Sequence, residues 1–196
     1  MPVRRRRIPR MKTAEILASE PLRLLSVEEY DRLVDTGAFE GERVELLEGV
    51  IVERSPQGTR HQGVIIALTR VLPRLVGGRA DLAVQGPFTV GRRSKPEPDV
   101  ALVPPGRYMD AHPAQAFLIV EVADTSLRKD RVLKPALYAA AGVPEYWVID
   151  VQACTVLRMT EPQRDTYAHS ETLSAKDEVS LVAFPDVVVQ LADVLP

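Results

Sequence analysis

At 196 residues, 45% of them hydrophobic, the chain is long enough to bury one good core and too short for two domains of ordinary size. A net charge of −2 and a pI near 6.0 show none of the basic excess that marks many nucleic-acid-binding proteins, although a carboxylate site makes its own neighbourhood acidic. The single cysteine, Cys154, excludes an internal disulfide and suits a reducing cytosol, and no stretch approaches the roughly 18 apolar residues of a membrane span.

Residues 1–20 read as a basic, flexible tail, with Arg4 to Arg7 either solvated or touching phosphates. No apolar run follows the arginines, so the tail is not a signal peptide; the expectation is a cytoplasmic protein, with Met11 an alternative start to Met1. Residues 21–196 read as a single domain. In SVEEYDRLVDTG, Ser26 and Glu29 form a capping box, Gly37 stops the helix, and Val27, Tyr30, Leu33 and Val34 share a face. RVELLEGVIVERS predicts a hairpin, Arg43–Leu47 and Val50–Glu53, turning at Glu48-Gly49. Thr59 to about Val76 predicts a helix with Val64, Ile65, Leu68, Val71, Leu72 and Leu75 on its apolar face, kinked or shortened by Pro73. Strands are predicted at 81–90 (broken at Gly86-Pro87), 99–103, 117–122 and 145–150, then near 155–159, 166–171, 179–181 and 187–191. A helix is expected within Arg128–Ala141, its regular part beginning near Lys134 because Pro135 suits the first helical position. The alternation, with hairpins at both ends, predicts an α/β (α+β) sandwich around a mixed central sheet.

The chemistry concentrates between Pro96 and Asp150. Glu121 stands in AFLIVEV, where every neighbour is apolar, and an unpaired carboxylate there costs several kcal/mol by rough estimate. It either pairs with a buried cation or serves a site. Asp99 opens DVALV behind Pro96 and Pro98, which stiffen its approach; it is a strand-initiating aspartate or a ligand. Two carboxylates on adjacent strands can share Mg²⁺, which takes oxygen ligands, keeps several waters and activates one against a phosphate. Lys134, at a helix start, is either a surface lysine or a stabiliser of charge on that phosphate. Asp130 could hold Lys134 in place, and Tyr138 lies four residues on, on the same face, as a contact of Lys134 or as core. The loop GRRSK offers Arg92, Arg93 and Lys95 to a polynucleotide. Trp147 reads as core or dimer interface. There is no P-loop, no GxSxG elbow and no zinc spacing among His61, His112 and His169, and Cys154 falls in a predicted strand without a histidine partner.

PEPDVALV, LIVEVADTS, DRVLKPALYAAAGVPEYWVID, VELLEGVIVERSP and HQGVI resemble a bacterial family of small restriction-endonuclease-like proteins, the Uma-two family, within the PD-(D/E)xK nuclease superfamily. The likeness covers about Ser26 to Met159, and GVPEYWVID behind DxxxK is its most specific part. It implies a restriction-endonuclease-like fold and a metal site, with Asp99 as the motif aspartate and Glu121 as its acidic partner. Ala123 stands where the superfamily's lysine normally does; in this family the lysine sits on the following helix, and Lys134 matches it. Glu45 matches an early acidic residue that completes the metal shell. His61 matches a recurring HQ, as general base, substrate contact or helix-start residue. The first expectation is therefore a Mg²⁺- or Mn²⁺-dependent endonuclease acting on nucleic acid, DNA first, as a homodimer by analogy of fold. The second is an inactive nuclease-fold protein that binds nucleic acid or a protein partner; hydrolysis of a small phosphate or nucleotide is the third.

Overall fold

The computed structural model describes residues 21–124 and 126–196; the arginine run and the two candidate starts lie outside them. Among the described residues there are three α-helices: α1 (Val27–Asp35), α2 (Thr59–Val76) and α3 (Lys134–Ala140). The strands are β1 (Val44–Leu47), β2 (Val50–Glu53), β3 (Asp81–Val84), β4 (Val100–Val103), β5 (Leu118–Ala123), β6 (Glu145–Asp150), β7 (Thr155–Gln163), β8 (Thr166–Ser174), β9 (Glu178–Leu181) and β10 (Phe184–Gln190). Among the described residues, no helix is long and apolar enough to cross a membrane.

Local rules explain the early elements. Both halves of the Ser26–Glu29 capping box are made, and the chain leaves α1 through Thr36 and a left-handed Gly37. Glu48 and Gly49 both take positive φ, 50° and 81°, which a tight two-residue hairpin turn requires. Helix α2 ends on a left-handed Gly77. Pro73 does not shorten it: α2 runs the full predicted length, because a proline near the C-terminus removes one hydrogen bond from a helix whose other face is packed against the sheet. Val34 and Leu75, expected on core faces, are exposed, each in the last turn of its helix, where the core side of the helix runs out. Cys154 lies in the β6–β7 turn with φ 53°, not in a strand. The strand expected at 81–90 stops at Val84, and Val90 makes only an isolated bridge to Ser94.

The core is a six-stranded mixed sheet in the order β3-β4-β5-β6-β7-β8, antiparallel except for the central β5–β6 pair. Strand alternation divides it into two faces. Val100, Leu102, Val120, Val122, Trp147 and Ile149 pack against α2 and the β9–β10 hairpin. Ala101, Val103, Ile119, Ala123, Tyr146 and Val148 face α3. Trp147 is fully buried in the first of these layers, a core residue. The parallel β5–β6 pair needs a crossover, and it consists of a π turn (Lys129–Leu133) running into α3. That crossover carries the lysine and the second aspartate of the site.

Candidate active site

Register brings the acids together. Val100 pairs with Val120, so Asp99, one residue before β4, falls across from Glu121 on β5. Glu121 shares a strand face with Ile119 and Ala123 and so points toward α3. Pro135 at the start of α3 places Lys134 at the join between the π turn and the regular helix. The π turn inserts an extra residue's reach just before it, a local distortion common at functional sites. Lys134 Nζ donates to Glu121 Oε1 at 2.8 Å, and the Tyr138 hydroxyl, one turn along α3, donates to the same oxygen at 2.8 Å.

A ring of partners surrounds that pair. Lys134 Nζ also lies 3.2 Å from Glu45 Oε2 and 3.7 Å from Asp130 Oδ1. The Glu97 N–H donates to Glu45 Oε2, and Lys129 pairs with the other oxygen of Glu45. Asp99 Oδ2 accepts from the Val122 N–H at 2.9 Å and contacts His61 Nε2 at 3.1 Å. Arg54 spans Asp99 Oδ1 and Glu97, at 3.4 and 2.7 Å. Asp130 accepts from Ser126, while its backbone carbonyl takes the Tyr146 hydroxyl. His61, in the first turn of α2, is buried, not an exposed helix-start residue.

The electrostatics follow from crowding acids in a dry place. Burial pushes Glu121 up to about 8; Lys134 opposes the shift, while Asp130, Asp99 and Glu45 add to it. Burial works against the Lys134 charge, yet Glu121, Glu45 and Asp130 together hold its pKa above the ordinary lysine value. Burial also opposes ionisation of Asp99 and Glu45. Hydrogen bonding and charge from His61, the Val122 N–H and Arg54 nevertheless hold Asp99 below the usual value, and Lys134 and Lys129 do the same for Glu45. Burial raises Asp130, against the pull of Lys134. Lys134 is thus the charged centre and Asp99 and Glu45 stay ionised, while burial and the neighbouring acids work against the charge on Glu121.

These groups meet at a small cleft of about 40 Å³, bordered by Arg54, His61, Asp99, Glu121, Asp130 and Lys134. An all-oxygen donor set of this kind suits Mg²⁺ or Mn²⁺. Two features of the structure fit a cation there: burial and the neighbouring acids disfavour the charge on Glu121, which a divalent cation would favour, and the buried Asp130 Oδ1 makes no hydrogen bond. Among the described residues, no three His, Cys, Asp or Glu side chains are grouped to hold a metal ion.

The structure brings together Asp99, Glu121, Lys134, Glu45, Asp130, Tyr138 and His61. Glu45 is capped by two lysines and does not border the cleft. Lys95 is not at the site: it is buried and paired with Asp31 on α1 at 2.7 Å. Its loop docks on the β1–β2 hairpin through Lys95–Leu46 and Gly49–Arg93 backbone bonds, leaving Arg92 and Arg93 exposed. Arg54 and Lys129 were missed by sequence reasoning. Arg54 follows a short hairpin strand, Lys129 precedes a proline-started helix, and no pattern separates either from surface cations.

A six-stranded mixed sheet flanked by helices, with a lysine from the crossover helix paired to the Glu121 carboxylate of a central strand, is a restriction-endonuclease-like α+β fold. The chain belongs to the Uma2 family, described as "putative restriction endonuclease", whose model matches residues 27–192. The structure is similar to the crystal structure of a "putative nuclease" from Anabaena variabilis, with a TM-score of 0.69 over 87% of this chain and 97% of that chain at 19% identity, a likeness of fold. No curated protein matches the chain.

Proposed function

We propose that the protein is a metal-dependent endonuclease that hydrolyses phosphodiester bonds of nucleic acid, DNA foremost. The observation that carries this is the pairing of Asp99 and Glu121 across adjacent strands at a cleft that also presents Lys134. Asp99 and Glu121 would hold Mg²⁺ or Mn²⁺, which supplies Lewis acidity at the phosphate and lowers the pKa of water. Asp99 is pre-set for this by the Val122 N–H, His61 and Arg54, which keep it ionised and fix its direction. Lys134, buried and charged, stabilises negative charge developing on the attacked phosphate. Tyr138 and Asp130 position Lys134 and Glu121, and Glu45, neutralised by Lys129, holds Lys134 from behind. His61 orients Asp99. Arg92 and Arg93 contribute phosphate contacts away from the cleft.

A second reading, a nuclease-fold protein that binds without cutting, draws support from the tight pairing of Lys134 with Glu121 and the small volume of the cleft. Nicking of supercoiled plasmid with Mg²⁺ or Mn²⁺ separates the two. The isosteric Asp99→Asn and Glu121→Gln variants keep the packing, and each should lose about 100-fold or more of the cleavage rate. Metal-independent cleavage, or cleavage unchanged in both variants, overturns the endonuclease reading; binding of DNA with no cleavage under either metal supports the second.

A further inference from the structure

The six-stranded sheet ends at β8, and among the described residues no strand pairs with the outer side of β8. An open edge of this kind is a template for another strand, and edges that stay single are usually short, bulged or guarded by lysine or proline. The opposite edge, β3, is four residues long. β8 is nine residues long, TYAHSETLS, and contains neither lysine nor proline. None of its residues takes a positive φ, and Ala168, His169, Ser170 and Thr172 are exposed.

We infer that β8 pairs antiparallel with β8 of a second copy of this chain, across a two-fold axis at Ser170, joining two sheets into one. The pleat requires residues directly opposite each other to share a face, so a two-fold axis normal to the sheet must lie midway between the two copies of a single residue. Centring on Ser170 sets His169 opposite Glu171 of the partner subunit, and the reverse, giving two matched pairs; Thr166 then faces Ser174 of the partner subunit. An imidazole offers an N–H in either protonation state, and a carboxylate directly across a strand pair is within its reach. The neighbouring registers are worse. Centring on Glu171 opposes two carboxylates, and centring on His169 opposes two imidazoles. Glu171 is already pre-oriented by Arg158 of β7, which donates to it at 3.0 Å, so its second oxygen is positioned at little further entropic cost. An isologous contact of this kind closes at two copies and does not propagate. It rests on the edge and its charge pattern, independently of the nuclease reading.

The test uses the full chain. Sedimentation velocity across the micromolar range should show a dimer, and His169→Glu, which sets like charges opposite each other at an exposed site, should shift it to a monomer that keeps the wild-type far-UV circular dichroism spectrum. In a Cys154→Ser background, Ser170→Cys should form an intersubunit disulfide under mild oxidation, because Cα atoms across an antiparallel pair lie roughly 4.5–5.5 Å apart. A wild-type monomer at every concentration overturns the inference. So does a dimer that His169→Glu leaves intact and Ser170→Cys does not cross-link, since that dimer uses another face.

Discussion

Two buried glutamates on neighbouring strands of one sheet, Glu121 and Glu145, meet opposite fates. Glu145 opens β6 and is fully buried, and both its oxygens are engaged. Oε1 accepts from the Trp147 indole at 2.9 Å and from Arg158 at 2.7 Å, and Oε2 accepts from the Val182 N–H at 2.8 Å. Arg158 continues to Glu171 and to the Ser180 carbonyl, so the network ties β6, β7, β8 and the β9 hairpin together. Glu121 sits among an excess of acids. Its two bonds fall on one oxygen, and it faces a cleft. One acid is matched by rigid donors and fastens a hairpin to the sheet; the other is left short of positive charge, which is the condition a cation relieves. A buried carboxylate is therefore diagnostic only through its partners.

That contrast can be broken from either side. The largest effect should come from Arg158→Met, which leaves Glu145 buried without its cation: a loss of about 3–5 kcal/mol in denaturant unfolding, with cleavage by the surviving folded fraction unchanged. Glu121→Gln should do the reverse, leaving stability at pH 8 equal or higher while plasmid nicking falls about 100-fold or more. The pH dependence has a definite sign. Glu121 holds its proton to about 8 in the folded protein against an ordinary 4.5, so the folded state binds the extra proton between those values. Its contribution to stability is full below about 4.5 and is lost as pH rises through 8, by a few kcal/mol on the order of the shift. Chemical denaturation at pH 5 and pH 8 should show this fall in wild type, flattened in Glu121→Gln. Addition of Mg²⁺ or Mn²⁺ at pH 8 should offset it, raising the melting temperature of wild type but not of Asp99→Asn. The smallest effect belongs to Lys129→Met, which removes one of two lysines on Glu45: about 1 kcal/mol or less of stability, because Lys129 is partly solvated and Lys134 remains.

Much of this was legible in the chain. The capping box, the Glu48-Gly49 turn, the mixed sheet and the start of the regular helix at Lys134 follow from local chemistry and periodicity. Asp99 and Glu121 were conspicuous because acids are costly in apolar strands. The same argument applied to Glu145, but its neighbours Pro144 and Tyr146 disguise it as a strand-end residue, and its partner Arg158 lies on the next strand. The basic GRRSK run looked like one patch, whereas Lys95 turns inward to Asp31, 64 residues earlier, while Arg92 and Arg93 face solvent.

By itself, the sequence determined where helices begin, where the chain turns, and which strands carry acids, since those depend on neighbours within a few residues. Only the tertiary structure decided which acid is matched and which is left in excess. Lys129 reaches Glu45 across 84 positions, Arg54 reaches Asp99 across 45, and Val182 reaches Glu145 across 37. Ion pairing depends on distance and burial in space, and neither can be read until the sheet has set its register.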